Sequence, residues 1–247
     1  MLGAIAGDII GSVYENFRTK NKDFRLFTPL STFTDDTVLT VAVADAILRG
    51  TDYGRVIKSY ARHYPLRGYG PKFLLWMLAP GAKPYNSLGN GSAMRVSPVA
   101  HAWQTDTQVL AEARRSAACT HSHPEGIKGA QAVALAVFMA RNKASKREIR
   151  DALCERFGYD LCRRIEDFRP GYRLDLTCPG SVPEAIIAFL DSEGFEDAIL
   201  QGLTKRLNQN FKKIVISFCE RFGTQTMIEQ SRLLARGPYE ERRATYT

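Results

Sequence analysis

The 247-residue sequence contains no apolar run near the roughly 20 residues that a membrane-spanning helix needs. Its beginning also lacks the charged segment and the cleavage pattern of a secretory signal peptide. Cysteine is scarce, and five residues that are odd in number and irregularly spaced argue against a disulfide framework or a zinc site. We therefore expect a soluble cytoplasmic protein with free thiols at Cys119, Cys154, Cys162, Cys178 and Cys219.

Strand-like alternation of apolar and polar residues is also scarce, and the sequence has no internal repeat or low-complexity segment. Apolar residues instead recur at helical spacing, as in residues 56–64, and residues 38–48 and 129–140 are apolar nearly all round. Prolines and Pro-Gly pairs separate these segments. The pattern predicts an all-α protein, a compact irregular helical bundle in which two apolar helices lie at the centre.

The C-terminal region carries much of the positive charge. The net charge is +8, and residues 201–247 hold nine Lys/Arg against four Asp/Glu. Apolar residues at helical spacing over residues 203–222 predict a last helix, so we expect one domain at residues 1–222 and a basic polar tail at 223–247. Because no basic motif with interleaved aromatics is present, a solvated surface is favoured over a nucleic-acid partner.

An acidic pair, Asp35 and Asp36, lies between Thr34 and Thr37 just before an apolar run. Such a pattern is the ordinary signature of a helix N-cap, and acidic residues in a first turn interact favourably with the helix dipole. Two adjacent carboxylates beside a hydroxyl are equally the hard oxygen ligands that Mg2+ binds. Taken alone, the tetrapeptide favours capping, and the neighbouring motifs raise the weight of the metal site.

The first helix is predicted over about residues 2–15, where apolar residues follow helical spacing. Glu15 ends this segment and precedes a polar stretch at residues 16–31. We therefore expect its carboxylate to reach a cleft and not the core.

A glycine-rich turn at residues 87–91 leads into a segment that we expect to be helical to about Trp103. Glycines let backbone amides approach a ligand closely, and a helix N-terminus favours anions such as a pyrophosphate. Arg95 would add a fixed positive charge. A plain Asn-Gly turn is an equally good interpretation of this element alone.

Two histidines, His121 and His123, precede Pro124 and an apolar helix. They could bind a metal, but the zinc pattern is weak without a cysteine or a third histidine nearby. A neutral imidazole at His121 that orients a ligand is the better functional interpretation.

In this order, the elements resemble the ADP-ribosylglycohydrolase family. The family pattern opens with a G-D-x-x-G helix that ends in a glutamate, matched by residues 7–11 and Glu15. It continues with T-D-D-T, G-N-G-[SA]-A-M-R and T-H, matched by residues 34–37, 89–95 and 120–121. Residues 181–185 and 195–199 are similar to two later segments of the family, so the resemblance extends over about residues 1–199.

The sequence departs from the family after Ile199. Typical members continue with G-G-D-x-D-T, which supplies the second half of a two-metal site, and this motif is missing here. Residues 211–222 are similar to the last helix of the family. An internal deletion that keeps this helix explains both facts, and divergence or a shifted reading frame after Ile199 is the alternative.

The resemblance implies hydrolysis of the bond between the anomeric carbon of ADP-ribose and an acceptor, through an oxocarbenium-like transition state. It assigns a divalent cation, Mg2+ or Mn2+, to Thr34, Asp35 and Asp36, and names Glu15, Asp35 and Asp36 as catalytic. The implied ADP-ribose ligands are Gly89, Asn90, Gly91, Ser92, Met94, Arg95 and His121, with residues 89–92 and Arg95 at the phosphates.

Loss of the second acidic motif leaves half of the oxygen ligands, so the metal affinity should fall. Asp191 and Glu193 are the nearest acidic residues by position, but their place in the motif order makes them poor replacements. Two functions stay open: an ADP-ribosylglycohydrolase, with one metal or reduced activity, and a non-catalytic relative that keeps the ADP-ribose cleft or only the scaffold.

Overall fold

The structure, a computed structural model, describes residues 2–15, 27–168, 171–172, 175–194 and 197–198, with the backbone alone at Leu2 and Glu15. Within these ranges it contains eleven α-helices and no β-strand, which confirms the all-α class. The expected last helix and basic tail lie outside the described residues, so the boundary at residue 222 stays a prediction.

The helices are short and irregularly connected. In chain order they are α1 (Leu2–Ser12), α2 (Asp35–Arg49), α3 (Tyr53–His63), α4 (Pro71–Leu78), α5 (Gly91–Met94), α6 (Val99–Ala102), α7 (Asp106–Ala118), α8 (Pro124–Arg141), α9 (Lys146–Phe157), α10 (Ile165–Phe168) and α11 (Cys178–Asp191). A 3-10 turn, Val13–Glu15, follows α1 directly. No helix in the described ranges is both long and apolar enough to cross a membrane.

Helix α8 lies at the centre of the bundle and contacts α5, α6, α7, α9 and α11. Its alanines and valines are buried on every side, as at Ala132 and Val133. Alanine has the highest helix propensity, and its small side chain lets several neighbours pack around one axis. The predicted central helix at residues 129–140 is thus confirmed, and it begins five residues earlier than the apolar pattern, at Pro124.

Helix α2 was expected to be buried all round, but it buries one face only. Val38, Leu39, Ala42 and Val43 lie in the core, whereas Leu48 near its C-terminal end is 85% exposed. The helix also contacts α1, α3, α5 and α6. Its first turn lies against α1, because Asp8 of α1 bonds to Thr34 and Thr37.

The segment after the glycine turn differs from the prediction of one helix to about Trp103. It forms two four-residue helices, α5 and α6, that are separated by residues 95–98. Pro98 explains the break, because proline has no backbone N–H to donate and disfavours helical geometry at the residue before it.

The cysteines within the described ranges are free thiols, as expected, at Cys119, Cys154, Cys162 and Cys178.

Candidate active site

The first turn of α2 is capped by a carboxylate from another helix. Asp8, fully buried in the middle of α1, accepts hydrogen bonds from Thr34 through its backbone N–H at 2.8 Å and its hydroxyl at 2.6 Å. It also accepts the backbone N–H of Thr37 at 3.1 Å and its hydroxyl at 2.6 Å. Four donors around one carboxylate stabilise the buried charge. Thr34 makes no capping hydrogen bond with its own side chain.

The acidic pair is therefore not needed to cap its own helix. Asp35 is 9% and Asp36 2% exposed, and both lie in the first turn, where the helix dipole favours negative charge. The Thr34 hydroxyl donates its proton to Asp8, so it meets any cation with its oxygen lone pairs. The three side chains together form an oxygen-only set of the kind that Mg2+ prefers.

This set fits half of a divalent-cation site. Within the described ranges, no three acidic, histidine or cysteine side chains form a group that could hold a metal. Mg2+ keeps several waters and uses one or two carboxylates together with substrate oxygens in many sites, so the pair is compatible with a hydrated cation. The side chain of Glu15 lies outside the described part of the structure, and its catalytic role stays a prediction.

A loop at residues 64–70 lies against the acidic pair. The backbone N–H of Asp35 donates to the Arg67 carbonyl at 2.7 Å. The Arg67 guanidinium lies 3.8 Å from the Phe33 ring centroid and donates to the Phe33 carbonyl at 3.3 Å. Phe33 in turn meets the Tyr64 ring edge to face, with centroids 5.7 Å apart. These contacts fix the segment before α2 and the loop as one unit.

The glycine turn is attached to the start of α11. The Asn90 N–H donates to the Leu176 carbonyl and the Cys178 N–H to the Leu88 carbonyl, both at 2.8 Å. The Asn90 amide group also donates to the Ser181 hydroxyl at 2.9 Å. The Asn90 side chain is fully buried and holds the turn, so any ligand contact there falls to other groups.

The predicted ligand-binding residues in and before α5 differ in the hydrogen-bonding groups that they present to a ligand. The Ser92 hydroxyl donates to the Gly126 carbonyl at 2.7 Å, and Met94 is buried in the core. Gly91 and Ser92 are the first two residues of α5, so their backbone N–H groups have no acceptor within the helix. Gly89 forms an isolated antiparallel bridge with Thr177.

Arg95 lies fully buried and not at a surface where phosphates could reach it. Its Nη2 donates to the Thr120 hydroxyl at 2.7 Å, and that hydroxyl lies 2.7 Å from Nδ1 of His121. Because arginine can only donate, the Thr120 oxygen accepts from Arg95. The two lone pairs and one proton of the hydroxyl fit either imidazole tautomer at Nδ1, and Nε2 is the other ring nitrogen of His121.

His121 presents that Nε2 to the glycine turn. A Cβ atom at Gly91 would lie 3.1 Å from Nε2, so a larger residue there would force the imidazole to move. Burial lowers the pKa of His121 well below its ordinary value, and the charge of Arg95 lowers it further. The imidazole is therefore neutral beside the turn.

Other predicted or considered residues lie elsewhere. His123 caps α8, since its Nδ1 accepts the backbone N–H of Glu125 at 3.1 Å. Asp191 lies at the far end of α11 and accepts the Ile165 N–H at 2.8 Å. That end is about 20 Å from the glycine turn along a 14-residue helix, so Asp191 is not a replacement for the missing acidic motif.

Two residues of the site were missed from the sequence in different ways. Asp8 belongs to the G-D-x-x-G motif but was given no role, although a carboxylate among apolar positions of a helix is a usable signal of a buried partner. Thr120 was matched to the family without a role, and nothing in the sequence places it between Arg95 and His121.

Comparison with known proteins agrees with this geometry. The model of the family described as ADP-ribosylglycohydrolase matches residues 1–204. The ADP-ribosylhydrolase ARH3 of Homo sapiens is 32% identical over 183 residues, which cover 60% of this chain and 50% of the relative. The protein of the same name from Xenopus tropicalis is 30% identical over 172 residues, which cover 57% and 49% of the two chains.

A solved structure described as an ADP-ribosylglycohydrolase-related protein complex shares the fold, with a TM-score of 0.69 and 22% identity over 88% of this chain and 83% of that chain. The chain spans about half the length of the curated relatives it matches. Because the family model extends over most of the sequence and agrees with its motifs, the chain belongs to the ADP-ribosylglycohydrolase family, a family of hydrolases.

Proposed function

We propose that this protein hydrolyses the bond between ADP-ribose and an acceptor with the help of a divalent cation. The observation that carries the proposal is the first turn of α2, where Asp8 of α1 caps the helix and two further carboxylates, Asp35 and Asp36, lie buried side by side. A helix that needed its acidic pair only for its own stability would not require a buried carboxylate from α1.

The polar groups at the glycine turn suit the anionic part of ADP-ribose. The first two N–H groups of α5 and Nε2 of His121 lie at this turn, and α5 contacts α2. Backbone N–H groups and a neutral imidazole can all donate to phosphate oxygens. Arg95 acts there through its buried positive charge and through Thr120, and not by direct contact.

Thr34, Asp35 and Asp36 would hold the cation, Mg2+ or Mn2+, which when bound would grip hydroxyls of the ribose and fix the sugar. Cleavage of a glycosidic bond develops positive charge on the anomeric carbon, and the buried carboxylates at the head of α2 would stabilise that charge. Glu15, at the end of the 3-10 turn, is the candidate that helps to activate the water nucleophile. His121 would orient the diphosphate.

A second candidate is an ADP-ribose-binding protein without catalysis. The observation that favours it is the half-set of metal ligands, because in the described ranges no third acidic, histidine or cysteine side chain completes a group that could hold a metal. Such a protein would keep the donors at the glycine turn and lose the metal-dependent step.

Two measurements test the proposal. The first is calorimetric titration with ADP-ribose, with and without Mg2+. The second is an assay of ADP-ribose release from peptides that carry it on serine or on arginine. Binding that Mg2+ strengthens and release from either peptide support the hydrolase. Binding that ignores Mg2+, without release, supports the binding protein. No binding under either condition contradicts both.

A further inference from the structure

Tyr69 carries a buried hydroxyl beside the acidic pair that nothing above has used. The residue is 7% exposed, and within the described ranges its hydroxyl has no hydrogen-bond partner. Buried tyrosine hydroxyls normally find a partner, because an unmade hydrogen bond in the interior is costly. Beside a candidate binding site, a ligand group could complete such a hydroxyl.

The ring is held in place without help from the hydroxyl. It stacks on Phe73 of α4, with centroids 5.1 Å apart and planes 17° from parallel. Just before it, Gly68 has a φ of +94°, and a Cβ atom there would lie 3.6 Å from Oδ1 of Asp35. The loop therefore turns directly over the acidic pair in a conformation that favours glycine.

The hydroxyl remains a donor at neutral pH. Burial raises the pKa of Tyr69, and the nearby charge of Asp35 raises it further. No hydrogen bond joins the Tyr69 hydroxyl to Asp35, because the hydroxyl has no partner at all in the described residues. An oxygen that accepts from the hydroxyl and donates to the carboxylate would join these two groups.

We propose that Tyr69 positions the terminal ribose of ADP-ribose, by donating its hydroxyl proton to a sugar hydroxyl that itself donates to Asp35. A sugar hydroxyl is both an acceptor and a donor, which is what this place requires. The inference rests on the proposed function, and it assigns a contact to the sugar and none to the diphosphate. ADP, which lacks that sugar, should not sense the Tyr69 hydroxyl.

Tyr159 provides a matched control. Its ring is also buried, at 8% exposure, and its hydroxyl also has no partner within the described ranges. It stacks on Phe157 of α9, with centroids 6.0 Å apart, and its charged neighbours include Glu125 and Glu184 but not the acidic pair. Tyr159→Phe therefore removes the same kind of group from a different place.

The experiment is calorimetric titration of wild type, Tyr69→Phe and Tyr159→Phe with ADP-ribose and with ADP, both in Mg2+. We expect Tyr69→Phe to weaken ADP-ribose binding by about 5- to 15-fold, the usual effect of one hydrogen bond to a ligand. Its ADP affinity should stay within about twofold, and Tyr159→Phe should change neither affinity. The melting temperature of free Tyr69→Phe should equal or exceed that of wild type, since no hydrogen bond is lost.

Unchanged ADP-ribose binding by Tyr69→Phe overturns the inference, and so does an equal loss for ADP and ADP-ribose. A clearly lower melting temperature also overturns it, because the hydroxyl would then be structural. If wild type binds ADP-ribose and Tyr69→Phe binds it equally well, only the role of Tyr69 is contradicted. Failure of wild type to bind ADP-ribose removes the proposed function and this contact with it.

Discussion

Helices α2 and α9 begin with the same kind of sequence but are stabilised differently. At α9, the Ser145 hydroxyl accepts the Glu148 N–H at 3.2 Å and Glu148 accepts the Ser145 N–H at 2.7 Å, a complete capping box. At α2, the Thr34 side chain makes no such bond, and Asp8 of α1 takes its place.

The difference separates a structural helix start from a functional one. A local cap uses the polar side chains of its own helix start, as Ser145 and Glu148 do at α9. A remote cap satisfies N–H groups at the start of α2 through Asp8, and Asp35 and Asp36 lie buried in the same turn. The position of the capping group therefore indicates function better than the presence of a capping sequence.

The largest expected effect is that of Asp8→Ala. It removes one acceptor from four buried or half-buried donors of Thr34 and Thr37. Since unsatisfied buried donors are costly, we expect the free energy of unfolding to fall by about 3–5 kcal/mol. Urea denaturation measures this, with Asp45→Ala as the control, because Asp45 pairs with Arg49 on the same helix and takes no part in the cap. Equal losses in the two variants would contradict the remote-cap interpretation.

Replacing the acidic pair should leave the stability nearly unchanged and lower the Mg2+-dependent binding and any hydrolysis. Asp35→Asn with Asp36→Asn leaves the cap from Asp8 intact, so the urea midpoint should change little or rise as two neighbouring buried charges disappear. The Mg2+-dependent part of ADP-ribose binding and any hydrolysis should fall by about 100-fold or more, since hard cations need anionic oxygens. Unchanged turnover in this double variant would rule out the proposed metal site.

The sequence predicted the helices and the motifs better than it predicted how the motifs work. The helix start at Asp35 follows from a local pattern of apolar and capping residues, which acts within a few positions. The central helix was predicted from its apolar residues alone, so its true start at Pro124 lies five residues before the predicted one. The partnership of Asp8 with Thr34 spans 26 positions, and that of Arg95 with Thr120 spans 25, so no local pattern contains it. Arg95 was expected at the phosphates because its charge suggested exposure, whereas folding buried it behind His121.

The two histidines before α8 extend the comparison. His123 caps that helix locally, whereas His121 contacts its neighbour Thr120, which is bonded to the distant Arg95. The pKa of His121 is lowered in the folded state, so below pH of about 6.5 the unfolded chain binds a proton that the native site resists. The free energy of unfolding should fall by about 1 kcal/mol between pH 6.5 and 5.5 through this residue.

Urea titrations of His121→Gln across this pH range measure that contribution as a shallower slope than in wild type. Burial also lowers the pKa of His101, to about 4, so part of the slope should survive in the variant. If the free energy of unfolding of His121→Gln changes with pH as steeply as that of wild type, the imidazole is not held neutral.

The smallest expected effect is that of Ser145→Ala, which breaks the local cap of α9. The loss of one N-cap hydroxyl at an exposed helix start typically lowers the free energy of unfolding by about 0.5–1 kcal/mol. ADP-ribose affinity should be the same as in wild type, because the polar groups of this cap bond only to each other. Urea denaturation and the same calorimetric titration check both halves. A loss of affinity in Ser145→Ala would show that a locally capped helix start also serves the ligand, and the distinction between α2 and α9 would then fail.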